Sequence, residues 1–259
     1  MDYYIVDTFT DALFSGNPTG ICIIEKPMTD KLMQKIAQEN KLSETTFVQK
    51  IGKGYSLRFF TPVEEVPLCL HATLGAAYVL HQFLAPTTST IHFESKSGTL
   101  KVLCKENKYK IHAPAFSYSP LSATKEMVDI LGIQPKESYC SRDLLFLLDS
   151  EKEVLTIKPD FEKMKSLSYG LGVVVTAKGT ESDFVSRCFF PKLGVNEDMA
   201  TGSSHCILAP FWASRLKKDV LRALQLSPRT GTLGCEVVEN EVIIEGSAVL
   251  YLKGEIQIH

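Results

Sequence analysis

The chain of 259 residues is long enough to bury a core for one large domain or two modest ones. Its 44% hydrophobic and 22% charged residues are typical of globular proteins, and a net charge of -2 argues against a nucleic-acid-binding surface. No apolar run approaches the roughly 20 residues that cross a bilayer, so we expect no membrane association. The seven cysteines form no C-x-x-C pair, and the N-terminus is acidic and strand-like. We therefore expect no disulfide scaffold or export signal, and a cytoplasmic protein.

The first half of the chain is dominated by strand-like runs that are rich in β-branched and aromatic residues. They are YYIVDTF, TGICIIE, TTFVQK, YSLRFF, STIHFE, TLKVLCK and YKIHA. Two helical patterns interrupt these runs. Residues 29–40 carry one apolar stripe behind Thr29, a candidate N-cap, and residues 71–84 are apolar on nearly all sides. The second pattern therefore predicts a buried helix.

The second half repeats this order. A helix is predicted at 124–133, and strands are predicted at DLLFLLD, EVLTIK, GVVVTAK and DFVSRCFF. A second apolar helix is predicted at 203–216, with SRLKKDVLR (214–222) as its exposed end. The final strands lie in CEVVENEVIIEGSAVLYLKGEIQIH, with ENE as the turn.

The two halves are related by a weak internal repeat. LRFFTPVEEVPLCLHATLGAA (57–77) and VSRCFFPKLGVNEDMATGSSHCILA (185–209) both run from an aromatic strand end, through an acidic loop, into a buried helix. Leu70-His71 corresponds to Gly202-Ser203 in this comparison. The repeat predicts an α+β fold with two pseudo-symmetric lobes, each a curled sheet around a central apolar helix.

Two segments have residue types that suit carboxylate binding or proton transfer. In NEDMATGSSHC (196–206) a helix N-terminus with small residues would bind a carboxylate, whereas Thr201, Ser203 and Ser204 are also ordinary N-cap residues. In NKLSETTFVQK (40–50), Glu44 lies where a helix gives way to a strand. Near apolar neighbours its pKa would rise and it would act as a proton shuttle; the alternative is a solvent-exposed turn acid.

These segments resemble a known family. DTFTDALFSGNPTGI, MQKIAQENKLSETTFV, LRFFTPVEEVPLCLHATLGAA, FFPKLGVNEDMATGSSHCILAPFW, LQLSPRTGTL and IEGSAVLYLKGEI, in this order, are similar to the PhzF-like phenazine-biosynthesis isomerases of the diaminopimelate epimerase superfamily. The resemblance covers residues 5 to 256. It implies two barrel-like, mostly antiparallel lobes, 1–115 completed by 248–259, and 116–247, with the active site in the cleft between them. It also implies a homodimer.

The resemblance further implies a cofactor-free, metal-independent isomerase that moves a proton on a small carboxylate substrate. Abstracting such a proton needs a carboxylate that can hold it and donors that stabilise the developing negative charge. The family motifs assign catalytic roles to Glu44, Asp198 and His71, and substrate-binding roles to Asn17, Leu70, Gly202 and Ser203.

Two positions depart from the family pattern. Leu70 replaces a glycine before His71 and would obstruct an anion site or resist a positive φ, and Thr230 replaces a glycine in SPRTGT. Leu70 motivates the alternative of a non-catalytic or regulatory protein that binds a ligand or partner. A single-base epimerase or racemase is a weaker alternative. Two-cysteine epimerisation is disfavoured because Thr201 stands opposite Cys69 in the repeat, so Cys69 is interpreted as a packing residue.

Overall fold

The computed structural model describes residues 1–258, which form two compact units. Unit 1 contains Met1–Ala113 and the chain from Ile244 onward, and unit 2 contains Pro114–Ile243. Each unit combines sheet strands with a long, buried helix, so the α+β class predicted from the sequence is confirmed. No helix within residues 1–258 has both the length and the apolar character needed to cross a membrane.

Unit 1 is built on mostly antiparallel strands. Its strands are β1 (Asp2–Thr8), β2 (Asn17–Ile24), β3 (Thr45–Ile51), β4 (Gly54–Phe60), β5 (Glu65–Val66), β6 (Thr90–Ser95), β7 (Gly98–Lys105), β8 (Lys108–Pro114) and β18 (Ala248–Glu255). Strand β1 pairs antiparallel with both β2 and β18. The pairs β2–β3 and β4–β6 are parallel. A parallel pair needs a long crossover connection, and helices fill both crossovers.

The two helices of unit 1 follow from their sequence patterns. Helix α1 (Asp30–Asn40) joins β2 to β3, and the Thr29 side chain accepts a hydrogen bond from the backbone N–H of Leu32, as the N-cap prediction required. Helix α2 (Leu70–Val79) buries nine of its ten residues. A Cβ added at Gly75 would lie 2.6 Å from Cγ2 of Thr19. Glycine therefore lets α2 approach β2 closely.

Unit 2 has a similar composition of elements. Its strands are β9 (Ser119–Pro120), β10 (Glu137–Cys140), β11 (Leu144–Leu147), β12 (Val173–Lys178), β13 (Phe184–Phe190), β14 (Val195–Asp198), β15 (Val220–Gln225), β16 (Gly231–Val238) and β17 (Glu241–Gly246), whose last residues belong to unit 1. Its helices are α3 (Lys125–Leu131), α4 (Glu151–Thr156), α5 (Phe161–Lys165) and α6 (Gly202–Leu216). Strands β11–β12 and β13–β15 are parallel.

Helix α6 is the central helix of unit 2. Ten of its fifteen residues are buried, and the indole N–H of Trp212 donates to Oγ1 of Thr176 on β12 at 2.9 Å. The internal repeat corresponds to two runs of strand, short strand and buried helix: β4–β5–α2 in unit 1 and β13–β14–α6 in unit 2.

Three local predictions were wrong. The predicted strand EVLTIK contains the end of α4, because Ser150 accepts from the Glu153 N–H while Glu153 accepts from the Asp149 N–H. These two side-chain caps of the first turn outweigh the β-branched residues. SRLKKDVLR is not one helix end, since α6 stops at Leu216 and β15 begins at Val220. The helix predicted at 71–84 is regular only to Val79 and ends in a π-helical turn, Leu80–Leu84.

Candidate active site

Glu44 is fixed in place by its backbone at the entry to β3. Its carbonyl oxygen accepts hydrogen bonds from the Gly20 N–H at 3.1 Å and from Oγ1 of Thr19 at 3.2 Å. Helix α1 ends just before it, with Lys41 in the left-handed region at φ 53°. Only 15% of the Glu44 side chain is exposed. The alternative of a solvent-exposed turn acid is therefore wrong.

The Glu44 carboxylate meets the first turn of α2. Its Oε2 lies 3.1 Å from Nε2 of His71, and both side chains are largely buried. The contact is an ion pair without good hydrogen-bond alignment, because Oε2 of Glu44 is buried and accepts no hydrogen bond from the described residues. On the other side of the ring, Nδ1 of His71 lies 3.3 Å from both Nδ2 of Asn17 and Sγ of Cys69.

The electrostatics of this cluster differ from the sequence-based expectation. Burial opposes ionisation of Glu44, but the positive charge of His71 holds the pKa of this carboxyl below its ordinary value. The expectation of a raised pKa was therefore wrong. Burial also opposes protonation of His71, yet Cys69 and Glu44 together raise the pKa of His71 well above its ordinary value. Burial and the negative charge of Glu44 raise the pKa of Cys69 to about 11.

Leu70 and Cys69 have roles that the sequence did not predict correctly. Leu70 is the first residue of α2 and is 2% exposed, so it packs in the core with a helical backbone. The concern that this turn needs a positive φ does not apply. Cys69 is the N-cap residue of α2, and its thiol contacts His71 rather than only filling space. The C-x-H spacing was the available signal, because it places the thiol and the imidazole at one helix start.

In unit 2, Asp198 is the centre of a hydrogen-bond network. Its Oδ2 accepts from Oγ1 of Thr201 at 2.5 Å, and its Oδ1 accepts from the Met199 N–H at 3.0 Å. Gln225 forms hydrogen bonds with both ends of the loop from Asp198 to Thr201. Its Nε2 donates to the Asp198 carbonyl at 2.6 Å, and its Oε1 accepts from the Thr201 N–H at 2.7 Å. Gln225 lies on β15 and was missed by the sequence analysis, since nothing local marks it.

Helix α6 begins at Gly202, which is buried, followed by Ser203, which is partly exposed. Thr201 is the N-cap residue, but its side chain makes no capping hydrogen bond because its hydroxyl donates to Asp198. Ser204 is buried, and its Oγ lies 3.5 Å from Oδ2 of Asp143. Thr201 therefore occupies the predicted N-cap position but does not cap α6 through its side chain, whereas Ser203 and Ser204 lie inside the helix.

The other histidines of the two central helical segments, His205 and His81, have structural partners. Nδ1 of His205, on α6, lies 2.8 Å from the Thr201 carbonyl oxygen, and burial lowers the pKa of His205 to about 4. His81 lies 3.1 Å from the Tyr109 hydroxyl. Neither ring has a carboxylate among these partners.

Comparison with known proteins identifies the family of this chain. The family model for phenazine biosynthesis-like proteins (PhzC-PhzF) matches residues 6–254. An uncharacterized isomerase of Pseudomonas aeruginosa is 42% identical over 100% of this chain and 99% of its own length. The crystal structure of a PhzF-family protein from Enterococcus faecalis is 47% identical, covers 99% of both chains and superposes with a TM-score of 0.97.

More distant structures share the fold alone. A predicted epimerase from Pseudomonas aeruginosa is 17% identical, yet covers 100% of this chain and 99% of its own with a TM-score of 0.77. The family model and the close relatives both extend over nearly the whole chain. The protein therefore belongs to the phenazine biosynthesis-like (PhzC-PhzF) family and is an isomerase with an epimerase-like fold.

Proposed function

We propose that this isomerase moves a proton within a small carboxylate substrate, with Glu44 as the acid and base and without a cofactor. The observation that carries the proposal is the buried Oε2 of Glu44, which is in contact with Nε2 of His71 but accepts no hydrogen bond from the described residues. A general base needs such a free lone pair within reach of the substrate.

The proposed reaction moves one proton from the substrate to Glu44 and back to the substrate. The ionised carboxylate takes a proton from a substrate carbon next to a conjugated system, and the electron pair of the broken C–H bond spreads toward the substrate carboxyl group. Protonated Glu44 then gives the proton to a different carbon, where a new C–H bond forms. The positive charge of His71, 3.1 Å from Glu44, keeps this carboxyl ionised and therefore able to accept the substrate proton.

For unit 2 we propose that the start of α6 binds the substrate carboxylate. The N–H groups of Gly202 and Ser203 lie at the positive end of the helix dipole, where anions are favoured. Asp198, held by Thr201 and Met199, is proposed to orient a substrate N–H or O–H group. Asn17, which contacts the His71 ring, is proposed to fix that ring and to line the substrate site.

The test uses heavy water and a pool of small unsaturated and amino-substituted carboxylic acids. Purified protein is incubated with the pool, and NMR and mass spectrometry follow both isomerised products and deuterium uptake. We expect turnover by the wild-type protein and a loss of about 10²- to 10⁴-fold in Glu44→Gln, which keeps the shape but not the basic oxygen.

Glu39→Gln is the matched control, because Glu39 is an exposed acid on α1 of the same unit. This variant is expected to turn over substrate at the wild-type rate. Turnover by Glu44→Gln at the wild-type rate would remove Glu44 from the mechanism. A product that is a stereoisomer of the substrate would instead favour the epimerase or racemase alternative.

A further inference from the structure

An open pocket in unit 2 contains none of the residues proposed above for isomerisation. Two short segments line it: residues 116–119, which lead into β9, and residues 140–142, which follow from the end of β10. Its volume of about 370 Å³ falls within the range of roughly 300–1,000 Å³ that is usual for small-molecule sites. We name these seven residues the Arg142 pocket.

Hydrogen bonds within unit 2 hold both segments of the pocket. The backbone N–H of Phe116 donates to the carbonyl oxygen of Cys206 on α6 at 2.9 Å. The hydroxyl of Ser141 donates to the carbonyl oxygen of Ser117 at 2.7 Å, and strand β9 pairs with β10 beside this contact. The backbone that forms the pocket is therefore ordered before a ligand arrives, which lowers the entropy cost of binding.

Arg142 is the charged residue of this pocket, and only one edge of its guanidinium is occupied. Its Nε and Nη2 donate to the two carboxylate oxygens of Asp143, whose side chain is fully buried. Its Nη1 donates no hydrogen bond to residues 1–258, and 27% of the side chain is exposed. The edge formed by Nη1 and Nη2 is therefore open to a second carboxylate, which an arginine binds through two parallel hydrogen bonds.

Aromatic side chains stand beside Arg142. The guanidinium carbon lies 5.6 Å from the centre of the Phe116 ring, and Tyr118 lines the same pocket. The Tyr118 ring is packed edge-on against Tyr139 and Phe211, with ring centres 5.4 and 5.5 Å away. A flat apolar group packs well against such rings. The open arginine edge and the aromatic rings together suit a carboxylate that is attached to a flat, apolar group.

We propose that the Arg142 pocket binds a small carboxylate with a flat, apolar body, through the Nη1–Nη2 edge of Arg142. This inference goes beyond the proposed function and does not depend on it. Asp143 cancels the charge of Arg142, so paired hydrogen bonds and aromatic packing, rather than long-range attraction, select the ligand. We therefore expect weak binding, roughly millimolar for a ligand of the size of benzoate, because a small molecule makes few contacts.

Cys140 reports directly on whether the pocket is occupied. It lines the pocket, and the other six cysteines of the chain are buried. Wild-type protein is treated with iodoacetamide and increasing benzoate at constant ionic strength, and mass spectrometry measures the rate at which Cys140 is alkylated. Benzoate is expected to slow this reaction, with half-maximal protection at roughly 1–10 mM. Benzamide has the same shape without the charge and is expected to need at least about 10-fold more, because hydrogen bonds to a charged group are stronger.

Arg142→Lys tests the paired hydrogen bonds. Lysine keeps a positive charge beside Asp143 but cannot form two parallel bonds to a carboxylate, so protection is expected to need at least about 10-fold more benzoate. Arg222→Lys is the matched control, because Arg222 is an exposed arginine on β15 of the same unit. Circular dichroism checks that both variants are folded. If Arg142→Lys does not fold, the comparison of benzoate with benzamide on the wild-type protein still decides the matter.

Three results would overturn the inference. They are equal protection by benzoate and benzamide, equal protection by benzoate in Arg142→Lys and Arg222→Lys, and no protection at about ten times the expected concentration. Benzoate bound only at the start of α6 would give the second or the third result. Turnover is not measured in this experiment, so its failure leaves the proposed function intact, and an inactive isomerase would leave the Arg142 pocket intact.

Discussion

The starts of α2 and α6 are related by the internal repeat but differ in charge. Each helix carries a buried histidine in its first turn: His71 is the second residue of α2, and His205 is the fourth residue of α6. His71 contacts the Glu44 carboxylate, and its pKa is raised. His205 is paired with a backbone carbonyl, and burial lowers its pKa to about 4. The partner, and not the depth of burial, decides which ring is charged.

The acids beside the two helices differ in a similar way. Asp198 accepts hydrogen bonds from Thr201 and Met199 and is held in one orientation. The Oε2 of Glu44 is buried 3.1 Å from Nε2 of His71 and accepts no hydrogen bond from residues 1–258. The first arrangement suits binding, and the second suits proton transfer, because a base must have a free lone pair.

The largest expected effect concerns Leu70, the first residue of α2, whose counterpart at the start of α6 is Gly202. Leu70→Gly removes a buried side chain and places glycine in a helix, so it is expected to lower the free energy of unfolding by about 4 kcal/mol. Urea unfolding measures this loss. Leu84→Gly, at a half-exposed leucine, is the control and should lose much less. A loss below about 1 kcal/mol in Leu70→Gly would show that Leu70 is not a core residue.

The next largest effect is expected from breaking the ion pair between Glu44 and His71 in unit 1. His71→Gln removes one partner of a buried ion pair, and we expect a loss of about 3 kcal/mol in the free energy of unfolding. Lys96→Gln removes an exposed partner of Glu65 and should cost less than about 1 kcal/mol. Equal losses in the two variants would mean that burial does not strengthen the Glu44–His71 pair.

The buried, neutral His205 of unit 2 predicts that the free energy of unfolding depends on pH. Its pKa is about 4 in the folded chain, below the ordinary value near 6.5, so the unfolded chain binds more protons between these pH values. Stability is therefore complete above pH 6.5 and falls as the pH falls toward 4. The contribution of His205 at pH 5 is a loss of about 2 kcal/mol relative to pH 7.

His205→Gln removes this titration, and urea unfolding at pH 7 and pH 5 measures it. The variant is expected to lose about 2 kcal/mol less than the wild-type protein over that range. An unchanged difference between the two pH values would show that His205 does not titrate as a buried neutral ring.

The smallest effect concerns the network around Asp198. Thr201→Val removes a hydroxyl that donates to a carboxylate, with an expected loss of about 1.5 kcal/mol in the free energy of unfolding. The proposed function adds a rise in KM, because Asp198 would lose its fixed orientation. Thr180→Val, which removes an exposed hydroxyl donor to Glu151, is the control and should leave KM unchanged. A wild-type KM in Thr201→Val would argue against an orienting role for Asp198.

The sequence by itself determined the α+β class and the family, because both depend on patterns that are local in the chain. Alternation marked the strands, and the all-round apolar segments marked α2 and α6, whose burial leaves no face for polar residues. The motifs around Glu44 and His71 were sufficient to name candidate residues. Strand propensity failed at EVLTIK, where the Ser150 N-cap starts a helix.

Only the tertiary structure decided the state of each candidate residue. Residues 44 and 71 lie 27 positions apart, so no local pattern could show that their side chains form an ion pair 3.1 Å apart. The same holds for Gln225 and Thr201, which meet only because β15 lies beside the start of α6. A pKa depends on the charges and burial that surround a group in space. That is why the sequence identified Glu44 but predicted the wrong direction for its pKa.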